Sequence, residues 1–130
     1  SQSAPAPTKI FPLRVIARRL KEILVEVETK QFWVRAQFVP ENAGRASNGH
    51  LYCSLVDNDD SGKAVARMRA TIWKSDRERI KRKLAAAGQE QMLSEGQEIC
   101  ALCSVRYHAV YGLSLEIRDV DPSFGESQLE

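Results

Sequence analysis

The first hydrophobic pattern along the chain has a helical period. Leu13, Ile16, Ala17, Leu20, Ile23, Leu24 and Val27 recur three or four residues apart, which places them on one stripe and predicts an amphipathic helix with that stripe against the core. Pro12 suits its first turn, where a missing N–H is no loss. The other face carries Arg14, Arg18, Arg19 and Lys21, followed by Glu22 and Glu26, and reads as a solvated surface.

From Gln31 the period changes to two. Phe32, Val34, Ala36 and Phe38 point one way and Trp33, Arg35 and Gln37 the other, the alternation of a half-buried strand. Trp33 is expected under the preceding helix. A turn-rich connection from Pro40 to Gly49 follows, with Asn42, Gly44, Arg45, Ser47 and Asn48. The second strand, His50 to Asp57, buries Leu51, Cys53 and Leu55 and shows His50, Tyr52 and Ser54. A hairpin connection, Asp57 to Gly62, leads to a third strand from Lys63 to Trp73. There Ala64, Ala66, Met68, Ala70 and Ile72 are expected inside, in a tight barrel, and Val65, Arg67, Arg69, Thr71 and Trp73 outside.

Ser75-Asp76-Arg77-Glu78 has the spacing of a capping box, in which the Ser hydroxyl and the Glu carboxylate each satisfy a free backbone N–H at a helix start. A helix carrying Ile80, Leu84 and Ala87 on one face runs toward Gly88. Two strands close the chain, Gln97 to Tyr107 and Gly112 to Val120, around a turn at His108-Ala109-Val110-Tyr111. Five short strands with a helix before the first and another between the third and fourth predict an all-β core with helices: a five-stranded OB-fold barrel. Residues 1–9, rich in Ser, Ala and Pro, read as a disordered lead-in, 10–121 as the domain, and 122–130 as a trailing linker.

Composition narrows the function. The chain has 130 residues, enough for one domain that buries roughly two thirds of its unfolded surface without disulfide or metal. No apolar run approaches the roughly 20 residues of a membrane span. Three cysteines, Cys53, Cys100 and Cys103, with no secretory signal, favour reduced thiols and a cytoplasmic setting. Cys100 and Cys103 have C-x-x-C spacing, but on a strand residues three apart face opposite ways and cannot share a ligand. No metal or cofactor site is expected. No G-x-S-x-G, Walker loop, H-E-x-x-H or catalytic triad occurs, so this segment alone is not expected to be an enzyme.

The formal net charge of +2 conceals strong segregation: residues 1–21 carry +5, 22–62 carry −4, 63–83 carry +7 and 84–130 carry −6. OB folds present nucleic acid on the outer face of strands two and three, flanked by the loops between strands one and two and between four and five. That face is expected to carry His50, Tyr52, Arg67, Arg69 and Trp73, with Arg35 on the neighbouring strand. The flanking loops supply Arg45, Asn48, His108 and Tyr111. Aromatic rings stack unpaired bases and arginines neutralise phosphates, so these residues are the candidate single-strand site. Each also has an ordinary surface role available, and Arg67 with Arg69 is the sharpest signal.

Several short matches lie in one order along the chain: Trp33-Val34 opening the first strand, Gly49-His50-Leu51-Tyr52 opening the second, Ala66-Arg67-Met68-Arg69-Ala70 in the third, Glu95-Gly96-Gln97 before the fourth, and Val120-Asp121-Pro122 ending the fifth. With them the chain resembles the N-terminal OB-fold domain of the exodeoxyribonuclease VII large subunit, from Ile10 to about Gly125. The family's Tyr-Glu-Pro-Arg-Gly hairpin is replaced here by Tyr107-His108-Ala109-Val110-Tyr111-Gly112, so no loop arginine contact is carried over to Val110. The resemblance implies a domain that presents single-stranded DNA to a nuclease region further along a longer chain, with the rest of that chain and small subunits as partners and no membrane. The metal dependence of such a parent is left open. A protein-interaction or assembly module, and an RNA-binding OB module, are the alternatives.

Overall fold

The computed structural model describes residues 8–41 and 49–124. Along the chain run α1 (Leu13–Glu28), β1 (Gln31–Pro40), β2 (Leu51–Asn58), β3 (Ala64–Ile72), α2 (Lys74–Ala86), β4 (Glu98–His108) and β5 (Gly112–Val120). The strands close a barrel in the order β1-β2-β3-β5-β4, with β4 also paired to β1. All pairings are antiparallel except β3–β5. This is the OB-fold architecture, with one helix leading the barrel and the other joining β3 to β4. The first seven residues of the expected lead-in and the last six of the expected linker lie outside the described residues.

Phe38, Ile72, Ile99, Ile117 and Val120 are fully buried inside the barrel. Ile80 and Leu84 of α2 belong to the same core, as do Met92 and, in part, Leu93 from the segment after the helix. The helix therefore plugs one end of the barrel. Burial of each such side chain stabilises the fold by about 1.5–3 kcal/mol. Ala87, expected on the apolar face of α2, is instead its exposed C-cap. Gly88 follows in the left-handed region at φ 72° and ends the helix.

Three expectations about burial do not hold. In β3 only Ala70 and Ile72 are buried; Ala64, Ala66 and Met68 are exposed. The cause is topological. β3 pairs with β5 only at Ala70–Leu115 and Thr71–Glu116, so its first half leaves the barrel with the end of β2 as a two-stranded arm. Asp59 closes the arm, its Oδ1 accepting from the Ser61 hydroxyl at 2.7 Å and the Lys63 N–H at 2.9 Å. Ser54, expected outside, is buried, between Val39 of β1 and Arg69 of β3 in the sheet. Trp33 is not covered by α1 but stands more than half exposed on the outer face of β1.

The α1 stripe also departs from expectation: of its residues only Ala17 is buried. The helix docks on β4 through a polar clamp. Lys21 Nζ donates to Glu28 at 2.7 Å and to the Tyr107 carbonyl at 3.1 Å, and the Tyr107 N–H donates to Glu28 Oε2 at 3.1 Å. The Lys21 hydrogen bond, against the opposing pull of desolvation, holds the Glu28 carboxyl below its usual range.

Candidate nucleic-acid interface

Strand register decides which side chains share the outer face. Tyr52 pairs with Thr71, Ser54 with Arg69 and Val56 with Arg67, and directly paired residues lie on one face of an antiparallel sheet. The parallel pairing of Thr71 with Glu116 extends this row onto β5, and the pairing of Ser104 with Glu116 and Arg106 with Ser114 carries it to β4.

A groove of about 530 Å³ lies across this face, and its walls include Tyr52, Arg69, Thr71, Trp73, Arg106, His108, Tyr111, Ser114 and Glu116. Tyr52, Arg69, Trp73, His108 and Tyr111 were expected in the site, and the fold brings them together. Arg69 donates from Nη2 to the Tyr111 carbonyl at 3.2 Å, tying β3 to the β4–β5 turn. In that turn the His108 Nδ1 accepts the N–H groups of Val110 at 3.0 Å and Tyr111 at 3.3 Å, and its ring lies 4.6 Å from that of Tyr111, centroid to centroid. His108 thus shapes the turn that presents the exposed Tyr111 ring.

Trp73 sits at the junction of β3 and α2, where its indole is fixed from two sides. Nε1 donates to Glu116 Oε2 at 2.6 Å, and the His50 ring meets the indole edge-on at 4.8 Å and 89°. His50 has a further task. Its Nδ1 accepts the Lys74 N–H at 2.9 Å, satisfying a free donor at the start of α2. The expected Ser75–Glu78 capping box is therefore not formed: the helix starts at Lys74 with Trp73 as N-cap, and the cap comes from His50, which stands just before β2 rather than in the strand where it was expected. Gly49 precedes it at φ 84°, with the Lys74 side chain packed so closely that a Cβ there would lie 3.0 Å from it.

The other expected residues are placed elsewhere. Arg67 lies one row beyond Arg69, on the arm, and takes part in no salt bridge among the described residues. Arg35 is on the outer face of β1, 3.7 Å from Glu98, and lines a smaller recess with Gln37 and Val56. Val56 of this recess is the strand partner of Arg67. Arg45 and Asn48 lie outside the described residues.

Sequence reasoning missed Glu116 and its arginines. The Glu116 side chain is 9% exposed, with Arg118 Nη2 at 3.0 Å and Arg106 Nη1 at 3.9 Å. Among the groove residues Arg69 and Arg106 are thus offset by Glu41 and Glu116, and Lys21 is paired with Glu28. The groove is electrically balanced and rich in rings rather than strongly basic. Further along β5, Asp119 takes Lys83 at 3.0 Å and Arg79 at 3.4 Å, so part of the basic run on α2 is neutralised. These cations and the Val120 N–H hold the Asp119 carboxyl low against desolvation.

Cys53 and Cys103 are buried, and desolvation pushes both thiols up to about 12; Cys100, on the opposite face from Cys103, is half-buried. Among the described residues no three His, Cys, Asp or Glu side chains are grouped to hold a metal ion, and no helix is long and apolar enough to cross a membrane.

A closed five-stranded barrel with an aromatic groove over β2 and β3 is the form of an OB-fold nucleic-acid-binding module. Residues 11–121 match the family described as OB-fold nucleic acid binding domain, and the chain belongs to that family. It is also similar to the exodeoxyribonuclease 7 large subunit of Deinococcus radiodurans, 30% identical over an alignment of 96 residues that covers 71% of this chain. It spans 22% of the length of that relative.

Proposed function

We propose that the domain binds single-stranded DNA in the groove over β2, β3 and the β4–β5 turn, as the DNA-presenting module of a large subunit like that of exodeoxyribonuclease VII. In this reading, strand handed on from the groove is degraded to oligonucleotides by a nuclease region of a longer chain, in the cytoplasm and with small subunits as further partners. The observation that carries the proposal is the convergence of Tyr52, Trp73 and Tyr111 with Arg69 and Arg106 in one groove. Stacking on each ring contributes about 1–3 kcal/mol and tolerates any base. Because the groove carries little surplus charge, stacking is the main source of affinity and Arg67 and Arg69 add the electrostatic part.

Fluorescence anisotropy of labelled oligo-dT tests this. Binding at low salt that outcompetes duplex DNA and matched oligo-rU is the expected result. Equal affinity for duplex, or none for oligo-dT, overturns it, and preference for RNA moves the domain to the RNA-binding class through the 2′-hydroxyl. A second reading, an assembly role, is favoured by the apolar face that α1 leaves exposed.

A further inference from the structure

Within the apolar stripe of α1 runs a stricter repeat. Leu13, Ile16, Leu20, Ile23 and Val27 are spaced three, four, three and four residues apart, the a and d positions of a heptad and the seam of a two-stranded coiled coil. Ala17 and Leu24 complete the stripe on the side turned toward the barrel, where Ala17 is buried and Leu24 half-buried. The clamp from Lys21 and Glu28 to Tyr107 fixes that rotation. The seam therefore stays open: its five residues are 38–81% exposed, and Ile10 and Phe11, just before the helix, are exposed as well. A contiguous apolar patch of this kind marks an interface.

We infer that this face pairs antiparallel with α1 of a second copy of the chain. The charges beside the seam select that occupant. The two residues at g positions are Arg19 and Glu26. With two helices antiparallel and a positions packed on d positions, Ile16 meets Val27 of the second copy and Leu20 meets Ile23. Each Arg19 then lies opposite the other copy's Glu26. The arrangement is self-complementary, as a two-fold interface must be. Parallel pairing instead sets Arg19 opposite Leu24 and forms no ion pair. The present neighbours, Glu22 at 3.9 Å from Arg19 and Lys30 at 3.4 Å from Glu26, are exposed pairs that cost little to exchange. A helix of 16 residues is about 24 Å long, so the interface is smaller than the roughly 1,200–2,000 Å² of a stable complex and the dimer is a weak one.

Sedimentation velocity of the chain from about 5 to 500 μM, without DNA, tests this over the range in which an interface below standard size associates. A reversible monomer–dimer equilibrium is expected. Ile16→Gln with Ile23→Gln should raise the dissociation constant at least about tenfold without changing the thermal unfolding of the barrel. Arg19→Glu and Glu26→Arg should each weaken the dimer by like-charge repulsion. An equimolar mixture of those two variants should dimerise again, because every Glu then meets an Arg across the interface. A chain that stays monomeric throughout overturns the inference and assigns the face to another partner. So does a dimer that ignores the seam variants, or single charge variants that the mixture fails to rescue.

Discussion

Replacing Glu116 by Gln should destabilise the domain and tighten its hold on DNA at once. The carboxylate accepts from the Trp73 indole at 2.6 Å and pairs with Arg118 at 3.0 Å. Gln keeps the shape and an acceptor for Trp73 but turns a charge-assisted bond, about 1.5–3 kcal/mol, into a neutral one of about 0.5–1.5. Arg118 is 38% exposed and keeps Asp76 at 3.4 Å, so losing Glu116 costs it less than the loss of a sole buried partner would. The expected loss is about 1–2 kcal/mol, or roughly 4–8 °C in Tm for a domain of this size. The groove meanwhile loses a negative charge beside Arg106 and Arg118. A phosphate roughly 6 Å from that carboxylate feels a repulsion of about 1 kcal/mol when the site is largely solvated, so oligo-dT affinity should rise about fivefold. Each arginine freed for a phosphate should steepen the salt slope by about 0.7. Differential scanning calorimetry and anisotropy titrations at several salt concentrations give both halves. A variant as stable as the parent that binds no tighter, or one that binds more weakly at unchanged slope, would refute the role of Glu116 as an internal counter-charge.

Arg67→Ala with Arg69→Ala should weaken oligo-dT binding and flatten the salt slope by roughly one unit, whereas Tyr52→Ala should cost about 1–3 kcal/mol with the slope unchanged; equal slope changes would show that the roles are misassigned. The Glu28 carboxyl, held low by Lys21, stabilises the fold above its unfolded value of 4.5 and loses that contribution as pH falls through its lowered native value. Urea unfolding of the parent and of Glu28→Gln should therefore converge on acidification, and a constant gap between them at all pH values would contradict the clamp. Ellman's reagent near neutral pH should leave Cys53 and Cys103 untouched in the native chain and label them only after unfolding, since burial holds both up to about 12; rapid native labelling of either, read by mass spectrometry, would show that the barrel opens there.

Element order was legible because the change of period at Gln31 and the turn residues between strands are local signals. What lay over each element was not. The alternation of Ala64, Ala66 and Met68 is as regular as that of Ala70 and Ile72, yet only the latter pair has β5 beside it. Periodicity reports the pleat of a strand, not whether anything covers it, and the stripe of α1 misled in the same way. Ser75 and Glu78 have correct capping spacing, but the strand–helix junction starts the helix at Lys74 and the His50 ring, just before β2, reaches it first. The expected residues on β2, β3 and the β4–β5 turn that line the groove were readable as outward positions. Glu116 was equally outward on β5, but its place beside Thr71 depends on the one parallel pairing, which no local pattern encodes.

That parallel pairing also sets how the barrel breathes. β1 and β4 are paired from Gln31 to Gln37, whereas β3 and β5 are paired at Ala70–Leu115 and Thr71–Glu116 alone. Opening there breaks the fewest inter-strand bonds, so the amides that bond across the β3–β5 gap should exchange with solvent through local rather than global opening. The groove straddles this gap, with Arg69 and Thr71 on one bank and Ser114 and Glu116 on the other. A strand laid across it grips both banks, so occupancy and closure become one equilibrium and a bound oligonucleotide acts as the missing rungs of the ladder.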